Sequence, residues 1–318
     1  MKKLLIILVF LLLICGCSNT KIDDTSTDIE EEITDSIEEI EEEVLLDKID
    51  MSKWQYDKSS DTYYQIGISY CAYPADTNYE TLGIFVPGAY FDATNNNDGT
   101  YTCEINEEGQ INGYTIESAP IVFPVNTAGH KAQNAPDGFS KNASTYTSEG
   151  FIYVLAGCRG KDAGAPSGVV DLKAAIRYIR YNQDLLPGDT DRVVVFGHSG
   201  GGSQCSVLGA SGDSSLYDPY LKQIGAANTS DAVNAVMAWC PITSFDTADL
   251  SYEWNMSASR SGLSDEMKQI SDSLAAAYAT YVNESNFVDE DGNILYLEES
   301  DEGIYQAGSY YEYVIDVI

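Results

Sequence analysis

Ser199 lies in Gly197-His198-Ser199-Gly200-Gly201, a G-x-S-x-G pentad that follows four β-prone residues, Val193 to Phe196, and precedes a helix-compatible stretch. A serine at such a strand-to-helix corner presents its hydroxyl above the carboxyl ends of the strands, where a nucleophile is useful. Glycines at 197, 200 and 201 suit the corner, because strand and helix approach too closely there for side chains. The hydroxyl is unreactive at its own pKa, so an imidazole must take its proton and a carboxylate must orient that imidazole. Attack on an ester also creates an oxyanion that needs two N–H donors. Gly200, the residue after the serine, offers one. Gly129, in the loop "NTAGHKAQNAPDG" over 126–138, is the candidate for the other. The same glycine also fits an ordinary turn.

The base is harder to place, because the chain has only two histidines. His198 adjoins Ser199 in a turn that points neighbouring side chains in different directions. His130 adjoins the oxyanion candidate and reads as a pocket-lining residue, with general base the weaker reading. In chains with this elbow the acid and then the histidine follow the serine, yet no histidine follows Ser199. The expectation is that acid and base lie beyond residue 318 and that the chain as written turns over little; a pseudoenzyme is the competing reading. Asp246 or Asp249, just past a strand, are substitute acids.

The elements around the corner alternate. "TYYQIGISY" and "TLGIFVP" read as strands, and "DATNNNDGTY" as a turn. "APIVFPV" (119–125) and "FIYVLAG" (151–157) are short apolar runs that suit a sheet buried on both faces. "SGVVDLKAAIRYIRYN" is a helix with Val169, Leu172, Ile176 and Ile179 on one face and Lys173, Arg177 and Arg180 mostly elsewhere. "VNAVMAWCP" (233–241) supplies another strand. Such alternation implies parallel strands with right-handed crossovers, an α/β fold. After Pro241 the character changes: residues 264–318 hold thirteen acids and one lysine among scattered tyrosines. "DEMKQISDSLAAAYATYVNESNF" is helical in pattern and "YYEYVIDV" is ambiguous. Residues 51–241 therefore read as the core, and 242–318 as the start of an inserted cap that ends before the sheet resumes.

Residues 1–17 read as a secretory signal. Lys2 and Lys3 precede the apolar run Leu4 to Ile14, and "ICGC" resembles a bacterial lipobox ending at Cys17, the residue to be lipidated. Residues 18–50 form a tether in which fourteen acids face two lysines, a charge density that keeps a chain extended and solvated. Together they predict a lipid-anchored protein on the extracellular face of a bacterial membrane, touching the membrane only through that anchor. The formal charge of −33 argues against nucleic acid as a partner. Past Cys15 and Cys17 an odd number of cysteines remains, without C-x-x-C spacing, so neither a zinc site nor a disulfide framework is expected. Cys205 and Cys240 read as small core residues.

Several blocks in one order over residues 60–260 resemble the bacterial tannase and feruloyl-esterase-like α/β-hydrolases: "YPADTNYETLGIFVPGAYF", "APIVFPVNTAGH", "GCRG", "VVDLKAAIRYIRYN", "PGDTDRVVVFGHSGGG" and "CPITSFDTADLSYEWN". The resemblance implies a mostly parallel sheet, a large cap inserted after the strand ending near Cys240, and a secreted serine esterase acting on esters of phenolic acids. No metal or cofactor is implied. Ser199 would be the nucleophile, and Gly129 and Gly200 match the oxyanion positions. The other readings are a serine peptidase on the same scaffold and a non-catalytic ligand-binding lipoprotein.

Overall fold

Continuous apolar runs form the middle of a seven-stranded sheet in the computed structural model, which describes residues 46–245 and 247–318. The signal segment, Cys17, most of the acidic tether and Asp246 lie outside the described residues. The sheet begins with β1 (Gln55–Asp57), β2 (Thr62–Ser69) and β3 (Thr81–Pro87), paired antiparallel. Two small hairpins follow, β4 (Phe91–Asn95) with β5 (Tyr101–Ile105) and β6 (Gln110–Ile111) with β7 (Tyr114–Thr115). The stretch read as a turn, "DATNNNDGTY", is thus partly strand: Asp92 to Asn95 pair with Tyr101 to Glu104, and only the tip turns.

The parallel part of the sheet carries the site. Its strands are β8 (Pro120–Val125), β9 (Ile152–Ala156), β10 (Asp189–His198) and β11 (Ala235–Trp239), and the spatial order is β1-β2-β3-β9-β8-β10-β11. Every residue of β8 is buried, as expected of a strand covered on both faces. The helices are α1 (Lys141–Thr147), α2 (Ser167–Tyr181), α3 (Gly200–Ala210) and α4 (Asp218–Ile224), with α5 (Ala248–Met256), α6 (Asp265–Ser285) and α7 (Ser309–Val317) after the last sheet strand.

Three expectations change on contact with the structure. First, the tether does not run to Asp50: Leu46 and Ile49 are buried in the main core, and the Asn182 side chain accepts a 2.9 Å hydrogen bond from the Ile49 amide. Tyr178 and Tyr181 on α2 donate to the carbonyls of Asp47 and Leu46. Apolar Leu46 and Ile49 win over the surrounding charge because α2 offers them a surface. Second, α2 is buried more widely than one apolar face. Lys173 is fully buried, with Nζ 2.7 Å from Asp231, and Arg177 Nε is 2.8 Å from the same carboxylate. Arg180 is buried as well and donates to the carbonyls of Ser230 and Ala232. The segment 213–232, α4 included, folds over that face and supplies the counter-charge, which no helical period can reveal. Third, Cys205 is buried as expected but Cys240 is exposed. β11 lies at the end of the sheet, with Val236, Met237 and Trp239 39–52% exposed.

Residues after Trp239 add no strand to the main sheet among the described residues. They build a smaller core of Tyr278, Ala279, Val282 and Leu297, against which Trp254, Tyr305 and Tyr310 pack. Ser264 caps α6 by accepting from the Met267 amide. The ambiguous "YYEYVIDV" is α7, and its Tyr310 hydroxyl lies 2.9 Å from that of Tyr278. No helix among the described residues is long and apolar enough to cross a membrane.

Candidate active site

Ser199 joins β10 to α3 with φ 56° and ψ −121°, a conformation costly for a residue with a Cβ. The corner is held from three sides. The Ser199 amide donates to Trp239 O at 3.0 Å, and Ser199 O accepts from the Ser203 amide at 2.9 Å. Ser203 Oγ in turn accepts from the Ile242 amide at 2.8 Å. The over-determined backbone leaves the serine partly exposed, and among the described residues Ser199 Oγ has no hydrogen-bond partner.

The glycines are needed where they stand. A Cβ on Gly201 would lie 2.0 Å from Val125 O, and one on Gly197 would lie 2.6 Å from that atom. A Cβ on Gly200 would lie 2.4 Å from Thr127 O, 2.5 Å from His130 N and 3.1 Å from Gly129 N. The loop after β8 is therefore pressed against the first turn of α3, which brings the two oxyanion candidates together. Gly129 is left-handed, with φ 61°, and its amide has no acceptor among the described residues; nor does that of Gly200. The amide of His130 is already committed to Thr127 O at 2.8 Å. Both free amides belong to the same small region beside Ser199, the arrangement that stabilises a developing oxyanion.

Neither histidine is hydrogen-bonded to Ser199. The His198 ring faces Cys240, with Nε2 3.0 Å from Sγ. The His130 ring packs edge-on against Phe245 with centroids 5.8 Å apart, and its Nε2 is buried without a partner. His130 thus lies beside the corner without a hydrogen bond to Ser199. Asp249, one of the two substitute acids, sits in the first turn of α5, and the imidazoles meet Cys240 and Phe245 instead; Asp246 lies outside the described residues.

Sequence reasoning missed the side chains that fix the loop after β8. Thr127 Oγ1 donates to Gln204 Oε1 on α3 at 2.6 Å, so loop and elbow helix are tied directly. Buried Gln133 takes the Asn126 amide and donates to Ala156 O, while its backbone pairs with Cys158 on both sides. Next to that pair, Arg159 forms a bidentate ion pair with Asp171 and lies 3.6 Å from Glu80. Burial, with the Asp171 charge nearby, pushes the Glu80 carboxyl above its ordinary value although the Asp76 amide opposes this. Polar residues in a loop carry no periodic signal, so nothing in the sequence reading pointed to this brace.

A sheet whose strands β9, β8, β10 and β11 run parallel, with a strained serine at the junction of β10 and helix α3, defines an α/β-hydrolase. The chain belongs to the BD-FAE family, whose model matches residues 114–294. It is similar to the tannin acyl hydrolase of Lactobacillus plantarum, with 30% identity and a TM-score of 0.64 over 86% of this chain and 62% of that one. It is similar to the Fusobacterium nucleatum tannase too, with 30% identity and a TM-score of 0.61 over 84% and 62%. Gut esterase 1 of Caenorhabditis briggsae is 30% identical over 122 residues, 35% of this chain and 21% of that protein. The chain spans about three fifths of the solved tannases' length and about a fifth of the curated esterase's.

Proposed function

We propose that this chain carries the nucleophilic half of a serine carboxylic ester hydrolase acting on phenolic-acid esters of the tannin or feruloyl type. The observation that supports it most is Ser199 at its strained corner, with the uncommitted amides of Gly200 and Gly129 beside it. In this reading Ser199 Oγ attacks the ester carbonyl carbon, and the two amides receive the oxyanion. The alcohol then leaves, and water hydrolyses the acyl-serine. The His198 ring meets Cys240 and the His130 ring meets Phe245, so in this reading neither takes the Ser199 proton as the chain stands. The phenolic acyl group is argued from the relatives' names, tannin acyl hydrolase and tannase.

Free imidazole tests the reading, because it can stand in for a missing base. Methyl gallate hydrolysis by the chain alone is expected to be slow, to rise with added imidazole, and to lose that increment in Ser199→Ala. An imidazole increment that survives Ser199→Ala would overturn the assignment. The absence of a base favours a second reading, a lipoprotein that holds phenolic esters without turning them over; binding of methyl gallate with no imidazole-dependent hydrolysis would support it. Anchoring at Cys17 on the extracellular face of the membrane rests on "ICGC" and is checked by palmitate labelling that disappears in Cys17→Ser.

A further inference from the structure

Cys240 and His198 are a nucleophilic thiol and a proton acceptor that the ester chemistry does not use. They stand at the carboxyl ends of adjacent parallel strands: His198 ends β10 in register with Trp239, and Cys240 follows Trp239. Sγ and Nε2 are 3.0 Å apart, within reach for proton transfer from thiol to imidazole. Cys240 is exposed, whereas Cys71, Cys103, Cys158 and Cys205 are buried and burial pushes each of their thiols up to about 12. Exposed aromatic rings flank it in the chain, Trp239 at 47% and Phe245 at 54%. This thiol differs from the others both in access and in having a base beside it.

We propose that Cys240, with His198 as its proton acceptor, is a covalent modification site that captures ortho-quinones. The Sγ proton passes to His198 Nε2, and the thiolate adds to a ring carbon of the quinone, forming one C–S bond. The displaced electron pair moves onto a ring carbonyl oxygen, giving an enolate that takes the proton back from the imidazolium. Loss of the proton on the substituted ring carbon, with protonation of the second oxygen, restores an aromatic catechol. The quinone is the only oxidant, reduced to the catechol level as the thiol becomes a thioether. The quinone class rests on the phenolic-ester reading, since a galloyl or catechol acid is what oxidises to one; the thiol–imidazole pairing stands without it. An adduct adds a ring beside the nucleophile, because Trp239 O, one residue away, holds the Ser199 amide.

The full chain is treated at neutral pH with 4-methyl-1,2-benzoquinone and, separately, with iodoacetamide, and peptide mass spectrometry reads the rate at each cysteine in folded and urea-unfolded protein. Pairing predicts that Cys240 reacts about tenfold faster folded than unfolded with both reagents, while the four buried cysteines react more slowly when folded. His198→Gln, with its circular dichroism unchanged, is expected to bring the folded rate of Cys240 down to the unfolded one. Should that variant not fold, the comparison within the unsubstituted chain still decides. A Cys240 no faster folded than unfolded with either reagent overturns the pairing. A folded advantage for iodoacetamide alone overturns the quinone assignment. Methyl gallate hydrolysis with imidazole is scored separately, so failure of the ester reading is distinguishable from failure here.

Discussion

Around Ser199 backbone packs on backbone, whereas around Trp254 side chain packs on side chain. At the corner, Gly197 and Gly201 bring β10 and α3 against Val125 O, and Gly200 brings the 127–130 loop within reach. A few strong polar contacts, such as Thr127 to Gln204, lock what the glycines allow. After Trp239 the chain instead gathers around aromatic rings: Trp254 stacks on Tyr278 with centroids 4.9 Å apart, and its Nε1 donates to Tyr305 O. Backbone contact has no spare volume and tolerates no added carbon. Aromatic contact can repack, so it suits a region that accommodates rather than a corner that aims one atom.

The largest expected effect tests how firmly the core side is braced. Asp231→Ala leaves Lys173 and Arg177 without their carboxylate in a buried place and is expected to cost about 3–5 kcal/mol, read from urea unfolding. The same carboxylate predicts a pH dependence. Burial works against its ionised form, but Lys173, the Asp213 amide and Arg177 outweigh it and hold the folded value below the ordinary one. Its stabilisation is therefore complete above the ordinary carboxylate range and is lost as pH falls through the depressed folded value. Pairing Asp231→Asn with Lys173→Met should flatten the dependence of the urea midpoint in that acid window.

Gly201→Ala comes next, since its methyl group meets Val125 O; a loss of roughly 1–3 kcal/mol is expected, together with the imidazole-dependent ester activity. Ser199→Gly is expected to move the other way, gaining about 1 kcal/mol by releasing the left-handed strain while removing the nucleophile. In the aromatic region, Tyr278→Phe removes one hydroxyl of the Tyr278–Tyr310 pair. It should cost only about 1 kcal/mol, visible as faster hydrogen exchange in α6 and α7 with the sheet unchanged. Smallest is Ile315→Ser on an exposed face, expected within about 0.5 kcal/mol. Equal losses for Gly201→Ala and Tyr278→Phe would erase the distinction between the two regions.

Much of the site was legible in one dimension because its logic is local. The β-prone run 193–196, the pentad that follows and the helix beyond it are contiguous, so the corner at Ser199 could be read from neighbours alone. Gly129 was a weaker inference, since nothing local separates an oxyanion glycine from a turn glycine; what the fold adds is that its amide nitrogen lies against Gly200. The burial of Lys173 was not legible for a related reason. Helical spacing reports which residues share a face but not that a loop 58 residues later will cover the opposite one with Asp231.

From the sequence alone came the α/β alternation, the nucleophile corner and the shortage of histidines, because each is a matter of residue order or count. Tertiary structure alone decided that Gln133 and Gln204 brace the loop after β8, that Leu46 and Ile49 join the core, and that Cys240 meets His198 instead of being buried. Those outcomes depend on which strands become neighbours and which strand is left at the sheet's edge. Contacts of that kind are made across the fold, between residues whose local sequence carries no trace of one another.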